Sequence, residues 1–518
     1  MQAPVLLAAL VAVSSPVPGA AHEGRQVLGC GDAVPLAAKR FASENFAAGL
    51  TLCRRGSSFA VTSADYMYSL HHDPSDADLA PLATLPHLDA LAFDGAPLAA
   101  GPPNLSPEAL RRLRHLGLRA LSAGGEIEEG RFREVCGFSG LQDLQLFSGS
   151  IGAGTLAGLG DLRGLRRLGL LRLGLTDASV PYICRASGVE ELDIRQNDIT
   201  DRGIAGLATL TGLRRLNADT LGPAGLSALR NLPHLEELSV CWVRLPATGA
   251  DLSALKSLKS FAAHSVDVGV PVRLPAGLQR LDIAEWAAPG LDLRALTSVE
   301  AVSLDAGMRR ADWTDRPAVK WLHTCPRLRE LTVTYASDRL VPALAGLTSL
   351  RALALEGPCP GGLGDEGIRA IGALRGLESL SVRYSDHTDA AMVALEGIPG
   401  LTRLELRSIA RVTPAGLKHI WRMRQLRSLD LDISGDPLEG SEDQILAGIS
   451  SITGLEELAL QGDITDRGLR SLAALKKLRR LDLFRAKGYT YPALAALADA
   501  LPDLDELKFT VGPRPEGY

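Results

Sequence analysis

The segment GLGDEG at residues 362–367 is the first candidate for chemistry, because it has the G-x-G-x-x-G spacing of dinucleotide-binding loops. Glycines at such positions let backbone amides approach a pyrophosphate where a helix begins. The same segment falls in register with helix starts elsewhere in the chain, such as TDRGI at 200–204. We therefore interpret its glycines as a loop and a helix cap, and we predict no cofactor.

His71, His72 and Asp73, with Asp76 and Asp78 close by, are the second candidate, because they could hold a divalent metal ion. Adjacent ligands on a polar linker are more often solvated, and the seven cysteines include no C-x-x-C pair with zinc spacing. No metal site is predicted. The sequences typical of serine hydrolases, zinc proteases and phosphate-binding loops are also absent, so we do not expect an enzyme.

Aromatic side chains gather in the middle of the chain, although they are only 4% of its residues. Trp242, His264, Trp286, Tyr335 and Tyr384 each follow a short Leu-rich segment. Aromatic side chains bury a large area with few rotatable bonds, so they are enriched at recognition surfaces. Packing against a neighbouring layer of the protein is the alternative, and the sequence leaves both interpretations open.

A repeat determines where these side chains lie, because the pattern L-x-x-L-x-L recurs about eighteen times. Clear copies are LRRLGL at 165–170, VEELDI at 189–194, LRELTV at 328–333, LTRLEL at 401–406 and LRRLDL at 478–483. Steps of about 20 to 30 residues are typical of a solenoid. The alternation of leucines with polar residues predicts one short strand in each copy, with its leucines in the core.

Helices are predicted between the strands, where T-D-x-G precedes regularly spaced leucines, as at 200–204 and 465–469. Because helices are wider than strands, they must lie on the convex side of the stack and the parallel sheet on its concave side. The connecting segments from 240 to 298 are rich in proline and glycine. There we expect extended backing in place of helices, and a flatter stack.

The fifth position of the repeated pattern is expected to point away from the core, and it is mostly polar. It carries Gln145, Asp193, Asn217, Ser239, Asp282, Ser303, Thr332, Ser381, Glu405, Asp430 and Asp482. This row is either a solvated sheet face or a docking surface. In the second case we expect the aromatic residues to anchor a partner, while Asp282, Glu330 and Arg383 set its orientation.

Bulk composition and the first residues bear on partners and location. The net charge of −5 has no long basic run, which disfavours nucleic acid as a partner. Residues 1–21 resemble a signal peptide and predict export, although no basic residue precedes Arg25, so a cytoplasmic location is the alternative. The apolar run is too short to span a membrane. In an exported chain Cys30 and Cys53 could form a disulfide, or both could be ordinary thiols.

The repeats resemble those of leucine-rich repeat proteins, especially the ribonuclease-inhibitor-like and cysteine-containing types that also occur in bacterial GALA proteins and eukaryotic F-box adaptors. The resemblance covers 79–510 and is closest in GLRSLAALKKLRRLDL at 468–483 and WLHTCPRL at 321–328. It implies an α/β fold, a right-handed horseshoe-shaped solenoid with a parallel sheet on its concave face and helices on its convex face. No F-box is recognisable before the repeats.

The chain is thus expected to comprise a signal peptide (1–21), an N-terminal cap segment (22–78), a leucine-rich repeat solenoid (79–510) and a polar tail (511–518). The predicted function is non-enzymatic binding of a protein or peptide on the concave face, by a monomer without a cofactor or a membrane span. The alternative is an effector or adaptor scaffold that links a target to other machinery.

Overall fold

A computed structural model of the chain describes residues 47–55, 58–67, 88–94, 106–245, 251–267, 272–284, 291–305, 317–357, 363–407, 411–434, 438 and 440–511. Its main feature is one sheet of 20 strands, and two further short strands, β11 and β13, form a separate pair. The strands are β1 (Ala47–Arg55), β2 (Ser58–Met67), β3 (Ala90–Asp94), β4 (Ala120–Gly124), β5 (Asp143–Phe147), β6 (Arg167–Leu171), β7 (Glu191–Asp193), β8 (Arg215–Leu221), β9 (Glu237–Arg244), β10 (Ser260–Asp267), β11 (Val272–Arg273), β12 (Arg280–Ala284), β13 (Leu291–Asp292), β14 (Ala301–Asp305), β15 (Glu330–Thr334), β16 (Ala352–Glu356), β17 (Ser379–Arg383), β18 (Arg403–Arg407), β19 (Ser428–Asp432), β20 (Glu457–Asp463), β21 (Arg480–Lys487) and β22 (Glu506–Val511).

Short helices alternate with these strands. They are α1 (Pro107–Leu113), α2 (Glu129–Cys136), α3 (Val180–Ile183), α4 (Asp201–Gly206), α5 (Pro223–Leu229), α6 (Pro317–Leu322), α7 (Val341–Leu344), α8 (Asp365–Ile371), α9 (Asp389–Glu396), α10 (Pro414–Trp421), α11 (Glu442–Ile449), α12 (Asp466–Ser471) and α13 (Tyr491–Ala500). Segments of 3-10 helix occur at Ala153–Asp161, Asp177–Ser179, Leu207–Thr209 and Leu472–Ala474.

The leucines of the repeat stack from strand to strand. Leu168, Leu192 and Leu216 lie opposite one another on β6, β7 and β8, and all three are buried. Each buried leucine contributes roughly 1.5 to 3 kcal/mol before the loss of conformational entropy is counted, so neighbouring repeats must share one core. The predicted strand in each copy of the pattern, with its leucines inward, is confirmed.

The helix starts are capped as the T-D-x-G pattern predicts. The Thr200 hydroxyl accepts a hydrogen bond from the Arg202 amide at 3.3 Å, and the Thr465 hydroxyl accepts one from the Gly468 amide at 3.0 Å. Such side chains satisfy amides at a helix N-terminus that lack an intrahelical partner.

The aspartate of the same pattern bonds to the next repeat rather than to its own helix. The Asp201 carboxylate accepts hydrogen bonds from the amides of Gly222 at 2.8 Å and Gly225 at 2.7 Å. A Cβ atom at Gly225 would lie 2.6 Å from that carboxylate, closer than van der Waals contact allows. The glycine of one repeat is therefore required by the aspartate of the preceding one.

The middle of the solenoid has extended backing, as its proline and glycine content predicts. The strand β11 pairs in parallel with β13 behind the main sheet, and an isolated bridge joins Asp251 to Arg273. No helix occurs among the described residues between α5 and α6. Paired strands have the same spacing in both layers, so the stack has little reason to curve there.

The N-terminal hairpin closes the sheet. The strand β1 pairs antiparallel with β2, β2 pairs in parallel with β3, and the other edge of β1 pairs antiparallel with the last strand β22. The parallel pairings continue without a break from β3 to β22 through all the remaining strands of this sheet. The leucine-rich repeat solenoid is confirmed, and closure into a ring is a feature that the sequence did not predict.

The spacing of neighbouring strands in the sheet, and of neighbouring helices behind it, is compatible with a closed ring. Twenty strands about 4.8 Å apart make a circumference of about 96 Å, which gives a backbone diameter of about 30 Å. A helix layer about 10 Å further out then has roughly 8 Å for each helix, close to the 8–10 Å at which helices pack. One complete turn therefore satisfies the preferred spacing of both layers.

Several predicted features lie outside the described residues. They are the signal peptide at 1–21, Cys30 of the possible Cys30–Cys53 bridge, the group of His71, His72 and Asp73, Trp286, and most of the polar tail. Among the described residues, no helix is both long and apolar enough to cross a membrane.

Candidate binding surface on the inner face of the sheet

The inner face is the face of the ring-shaped sheet that points away from the helices. Its middle, the central row, consists of the residues at the fifth position of the repeat, which the strand pairings place side by side. The central row is Ala92, Ser122, Gln145, Gly169, Asp193, Asn217, Ser239, Ala262, Asp282, Ser303, Thr332, Ala354, Ser381, Glu405, Asp430, Ala459, Asp482 and Lys508.

The central row is acidic. Its charged members are Asp193, Asp282, Glu405, Asp430, Asp482 and Lys508. Five carboxylates against one ammonium give the row a net charge of −4 at neutral pH. Most other members are alanine, serine or glycine, which add no charge to the row.

The entry row, two residues before the central row on each strand, neutralises its own charge. The Arg167 guanidinium lies 2.7 Å from the Asp143 carboxylate, and Arg215 bridges Glu191 on one side and Glu237, at 3.3 Å, on the other. Acidic and basic residues alternate along these strands. Asp143 is buried, whereas the pairs of Arg215 are at least partly exposed and contribute little stability each, but together the pairs leave little net charge in the row.

The exit row, two residues after the central row, supplies arginines to part of the acidic wall. Arg195 lies 2.6 Å from Asp193, while Arg383 and Arg407 both contact Glu405, at 2.6 and 3.0 Å. Arg407 also pairs with Asp430. The sequence analysis missed Arg195 and Arg407, although D-x-R and E-x-R place an arginine on the same side of a strand as the carboxylate.

Asp282 differs from its neighbours, because no salt bridge joins it to a cation among the described residues. Its carboxylate reaches solvent and forms a hydrogen bond with Ser303. Crowding by protein atoms on the concave wall raises its pKa, the Ser303 hydrogen bond opposes this shift, and nearby Asp305 adds to it. Arg280 and His264 exert only weaker opposing effects. A cation from a partner would therefore be well placed beside Asp282.

Two of the predicted anchors are exposed aromatic side chains. Trp242 on β9 is 43% exposed, and the Arg244 guanidinium lies 5.6 Å from the centre of its ring. Tyr384, directly after β17, is 44% exposed and has a φ of 52°. Tyr335 occupies the corresponding place after β15 with a φ of 55°. At both tyrosines the left-handed backbone conformation ends the alternation of inward and outward side chains, at the point where the chain leaves the sheet.

The remaining predicted contact residues occupy different environments. Tyr335 packs partly against the core, so its aromatic ring has a structural role. His264 is exposed on β10, and Glu330 at the start of β15 pairs with Arg280 at 3.0 Å. Arg383 is held by Glu405, as described above.

The predicted residues are spread along the sheet rather than gathered in one small patch. Trp242, His264 and Asp282 lie on the adjacent strands β9, β10 and β12, and Glu330 begins β15, two strands further on. Tyr384 follows β17, so at about 4.8 Å for each strand it lies roughly 19 Å from β12 along the sheet. Their joint role in contacting one partner stays a prediction.

The glycine-rich segment around Asp365 is occupied by protein contacts. The amides of Gly364 and Gly367 donate to the Asp338 carboxylate at 2.7 and 2.8 Å, and α8 begins there. These amides already have an anionic acceptor from the preceding repeat, as the loop-and-cap interpretation predicts. Within the described residues no cluster of histidine, cysteine or carboxylate side chains is arranged to hold a metal ion.

Comparisons with known proteins give matches of fold only. No protein-family model matches the sequence, and no curated protein matches it. An internalin from Listeria monocytogenes is similar with a TM-score of 0.28 and 19% identity, over 73% of this chain and 88% of the internalin. A leucine-rich repeat protein from Leptospira interrogans gives 0.30 and 17%, over 84% and 100%. The TLR13–ssRNA13 complex gives 0.42 and 17%, over 74% and 64%.

Two features of this chain itself identify its class. The L-x-x-L-x-L pattern recurs along the sequence, and successive copies supply adjacent parallel strands, with a helix or extended segment behind them. Repeats of this kind bury a continuous core only by stacking on their neighbours. The chain therefore has the fold of a leucine-rich repeat solenoid.

Proposed function

We propose that this protein is a non-enzymatic binding protein that holds a segment of another protein, or a peptide, on the inner face of its sheet. The observation that carries the proposal is the largely polar inner face, whose exit side carries the half-exposed aromatic rings of Trp242 and Tyr384. Aromatic residues are enriched among the anchors of protein interfaces. The leucines of the repeats are buried in the core, so the residues that alternate with them are available to a partner on this side of the sheet.

Alanine substitution of the aromatic anchors tests the proposal. A partner is first captured with the full chain and identified, and its affinity is then measured by calorimetry. We expect Trp242→Ala and Tyr384→Ala each to weaken binding by about 2 kcal/mol, since truncation of an aromatic anchor of an interface commonly costs that much. Thermal unfolding should stay close to that of the parent.

Val393→Ala is the matched control, because Val393 is a similarly exposed apolar side chain, 54% accessible, on helix α9 of the outer layer. It should leave the affinity unchanged. If Val393→Ala weakens binding and both aromatic changes leave it intact, the partner contacts the helix layer. That outcome would favour the adaptor alternative, in which the outer surface links a target to other machinery.

We also propose that the chain is exported and acts as a monomer. The short apolar run before the small-residue site at 19–21 supports export. N-terminal sequencing of protein from the native host should find a start near His22. Recovery of chains that begin with Met1 from the cytoplasm would contradict export.

A further inference from the structure

We propose that the acidic central row binds a cationic, lysine- or arginine-rich segment of a partner protein that enters the opening of the ring. The proposal deepens the proposed function, on which it rests, by naming the class of partner. It is carried by the charge of the inner face, the environment of its carboxylates and the size of the ring.

The distribution of charge over the inner face is uneven. The entry row pairs its acids with arginines on neighbouring strands, as Asp143 with Arg167. The central row has five carboxylates and one lysine, and the described strands place no arginine in it. The inner wall therefore carries an excess of negative charge at mid-height. Arginines of the exit row offset part of it at Asp193, Glu405 and Asp430, and a concave wall strengthens the attraction of the remaining charge for cations.

Individual carboxylates of the central row would gain from a cationic guest. Asp282 has Asp305 nearby and only a serine hydrogen bond to its carboxylate. Asp430 pairs with Arg407, and this guanidinium also contacts Glu405, which has Arg383 as a second partner. A guest ammonium or guanidinium group would offset the cost of holding these anions at a partly desolvated wall.

The size of the ring selects a segment rather than a folded domain. A backbone diameter of about 30 Å, less about 5 Å of side chain on each wall, leaves an opening of roughly 20 Å. An α-helix is about 10–12 Å wide with its side chains, so it fits. A 100-residue domain, with a radius of gyration of about 13 Å, does not.

The aromatic rings at the exit side of the strands suit the same guest. The Trp242 ring already lies beside the Arg244 guanidinium, 5.6 Å from its centre, so its surroundings accept a cation over an aromatic face. Tyr384 presents an exposed ring beyond the same side of the sheet. Guest arginines leaving the opening could stack on either ring.

The direct test uses synthetic peptides and the full chain. A fluorescent helical peptide of about 20 residues rich in lysine and arginine is titrated and followed by anisotropy, since that length spans about 30 Å as a helix. A peptide with glutamate in place of the basic residues, and a single-stranded RNA, are titrated in parallel. We expect the cationic peptide to bind, with affinity falling steeply between about 50 mM and 300 mM salt. Binding of the RNA or the acidic peptide in its place would overturn the proposal.

Matched charge variants locate the site. The double variant Asp282→Asn with Asp482→Asn should weaken binding of the cationic peptide about tenfold. Asp161→Asn with Glu366→Gln makes the same change of net charge at exposed positions of the outer layer and should change the affinity less than about twofold. If the two double variants weaken binding equally, the peptide responds to the net charge of the protein and not to the central row, which would contradict the proposal.

A variant that should bind the cationic peptide more tightly provides a test that loss of folding cannot mimic. Lys508→Gln removes the one cation of the central row and should tighten binding of the cationic peptide by about two- to threefold. An unchanged or weaker affinity contradicts the proposal. If no cationic peptide binds while Trp242→Ala still weakens the captured partner, this inference fails and the proposed function stands, whereas failure of both tests overturns both.

Discussion

The buried histidine of β17's exit turn is the titratable residue with the clearest effect on stability. His387 is fully buried, and its Nδ1 atom lies 2.6 Å from the Ser385 hydroxyl. Burial lowers its pKa to about 4, although Asp365 and Asp386 act in the opposite direction. The imidazole is therefore neutral in the folded protein over the physiological pH range.

We expect the folded state to lose stability as the pH falls from 6.5 towards 4. In this range the unfolded chain binds a proton at His387, with an ordinary pKa near 6.5, and the folded chain does not. At about 1.4 kcal/mol for each pKa unit, the loss reaches roughly 2 kcal/mol at pH 5 relative to pH 7. Urea unfolding at the two pH values measures it.

Substitution of this histidine separates its effect from those of other groups. His387→Leu should reduce the loss between pH 7 and pH 5 by about that 2 kcal/mol, whatever its effect at pH 7. His234→Gln, at an exposed histidine, is the control and should keep the parent's pH dependence. An unaltered pH dependence in His387→Leu would show that other groups are responsible.

The buried cysteines fill space in the core. Burial raises the pKa of Cys136 to about 12 and that of Cys325 to about 11, so both remain thiols. A thiol that does not ionise is a poor nucleophile and metal ligand.

At the scale of the elements, several helix starts are held by an aspartate of the repeat before them. The Asp389 carboxylate accepts a hydrogen bond from the Thr413 amide at 2.7 Å and another from the Thr413 hydroxyl. Asp365 makes the same contacts with Thr388, and Asp466 makes them with Thr490. These aspartates fix the offset between successive helices, so they couple neighbouring repeats outside the leucine core.

We expect Asp389→Ala to lower the free energy of unfolding by about 1 to 3 kcal/mol, because the Thr413 amide and hydroxyl lose their acceptor. Asp389→Asn should recover part of the loss, because its amide oxygen still accepts one hydrogen bond. Urea unfolding compares the variants. Equal losses for the two would mean that charge, and not the hydrogen bond, couples the repeats.

At the scale of the whole molecule, closure removes the two sheet edges that an open solenoid must protect. An exposed edge strand presents unpaired amides and carbonyls to other chains. Here β1 uses both of its edges, pairing with β2 through Ala47 to Arg55 and with β22 through Ala48 to Cys53. The hairpin thus serves as the cap for both ends of the repeat array.

A single substitution tests the ring, since Cys53 lies directly opposite Glu506 across the β1–β22 pair. Opposed residues of an antiparallel pair have Cα atoms about 4.5–5.5 Å apart, within reach of a disulfide. In a Cys30→Ala background, Glu506→Cys should form a Cys53 cross-link under oxidation. Non-reducing electrophoresis and mass spectrometry of the linked peptides detect it.

Arg480→Cys is the control, because Arg480 lies opposite Glu506 on β21, one strand further from Cys53. In a closed ring it should give no cross-link under the same oxidation. If Glu506→Cys also remains reduced while the chain is folded, the hairpin does not contact β22 and the solenoid is open.

The features that repeat can be read from the amino-acid sequence alone. Period-two leucines specify the strands and their register, T-D-x-G specifies the helix starts, and proline with glycine specifies the extended backing of β11 and β13. The polar fifth positions followed from the same register. All of these are local patterns, in which the identity of a residue depends on neighbours a few positions away.

The arrangement of the repeats in space depends on contacts between repeats that are distant in the sequence. Twenty strands close a ring when each strand is rotated by about 18° on average from the one before it. So small a rotation between neighbouring repeats is not predicted by the pattern within one repeat. Closure depends on contacts between Cys53 and Glu506, at opposite ends of the array. The distance between Trp242 and Tyr384, and the close approach of Asp201 to the glycine of the next repeat, also depend on how repeats are arranged relative to one another. A pattern within one repeat does not contain this information.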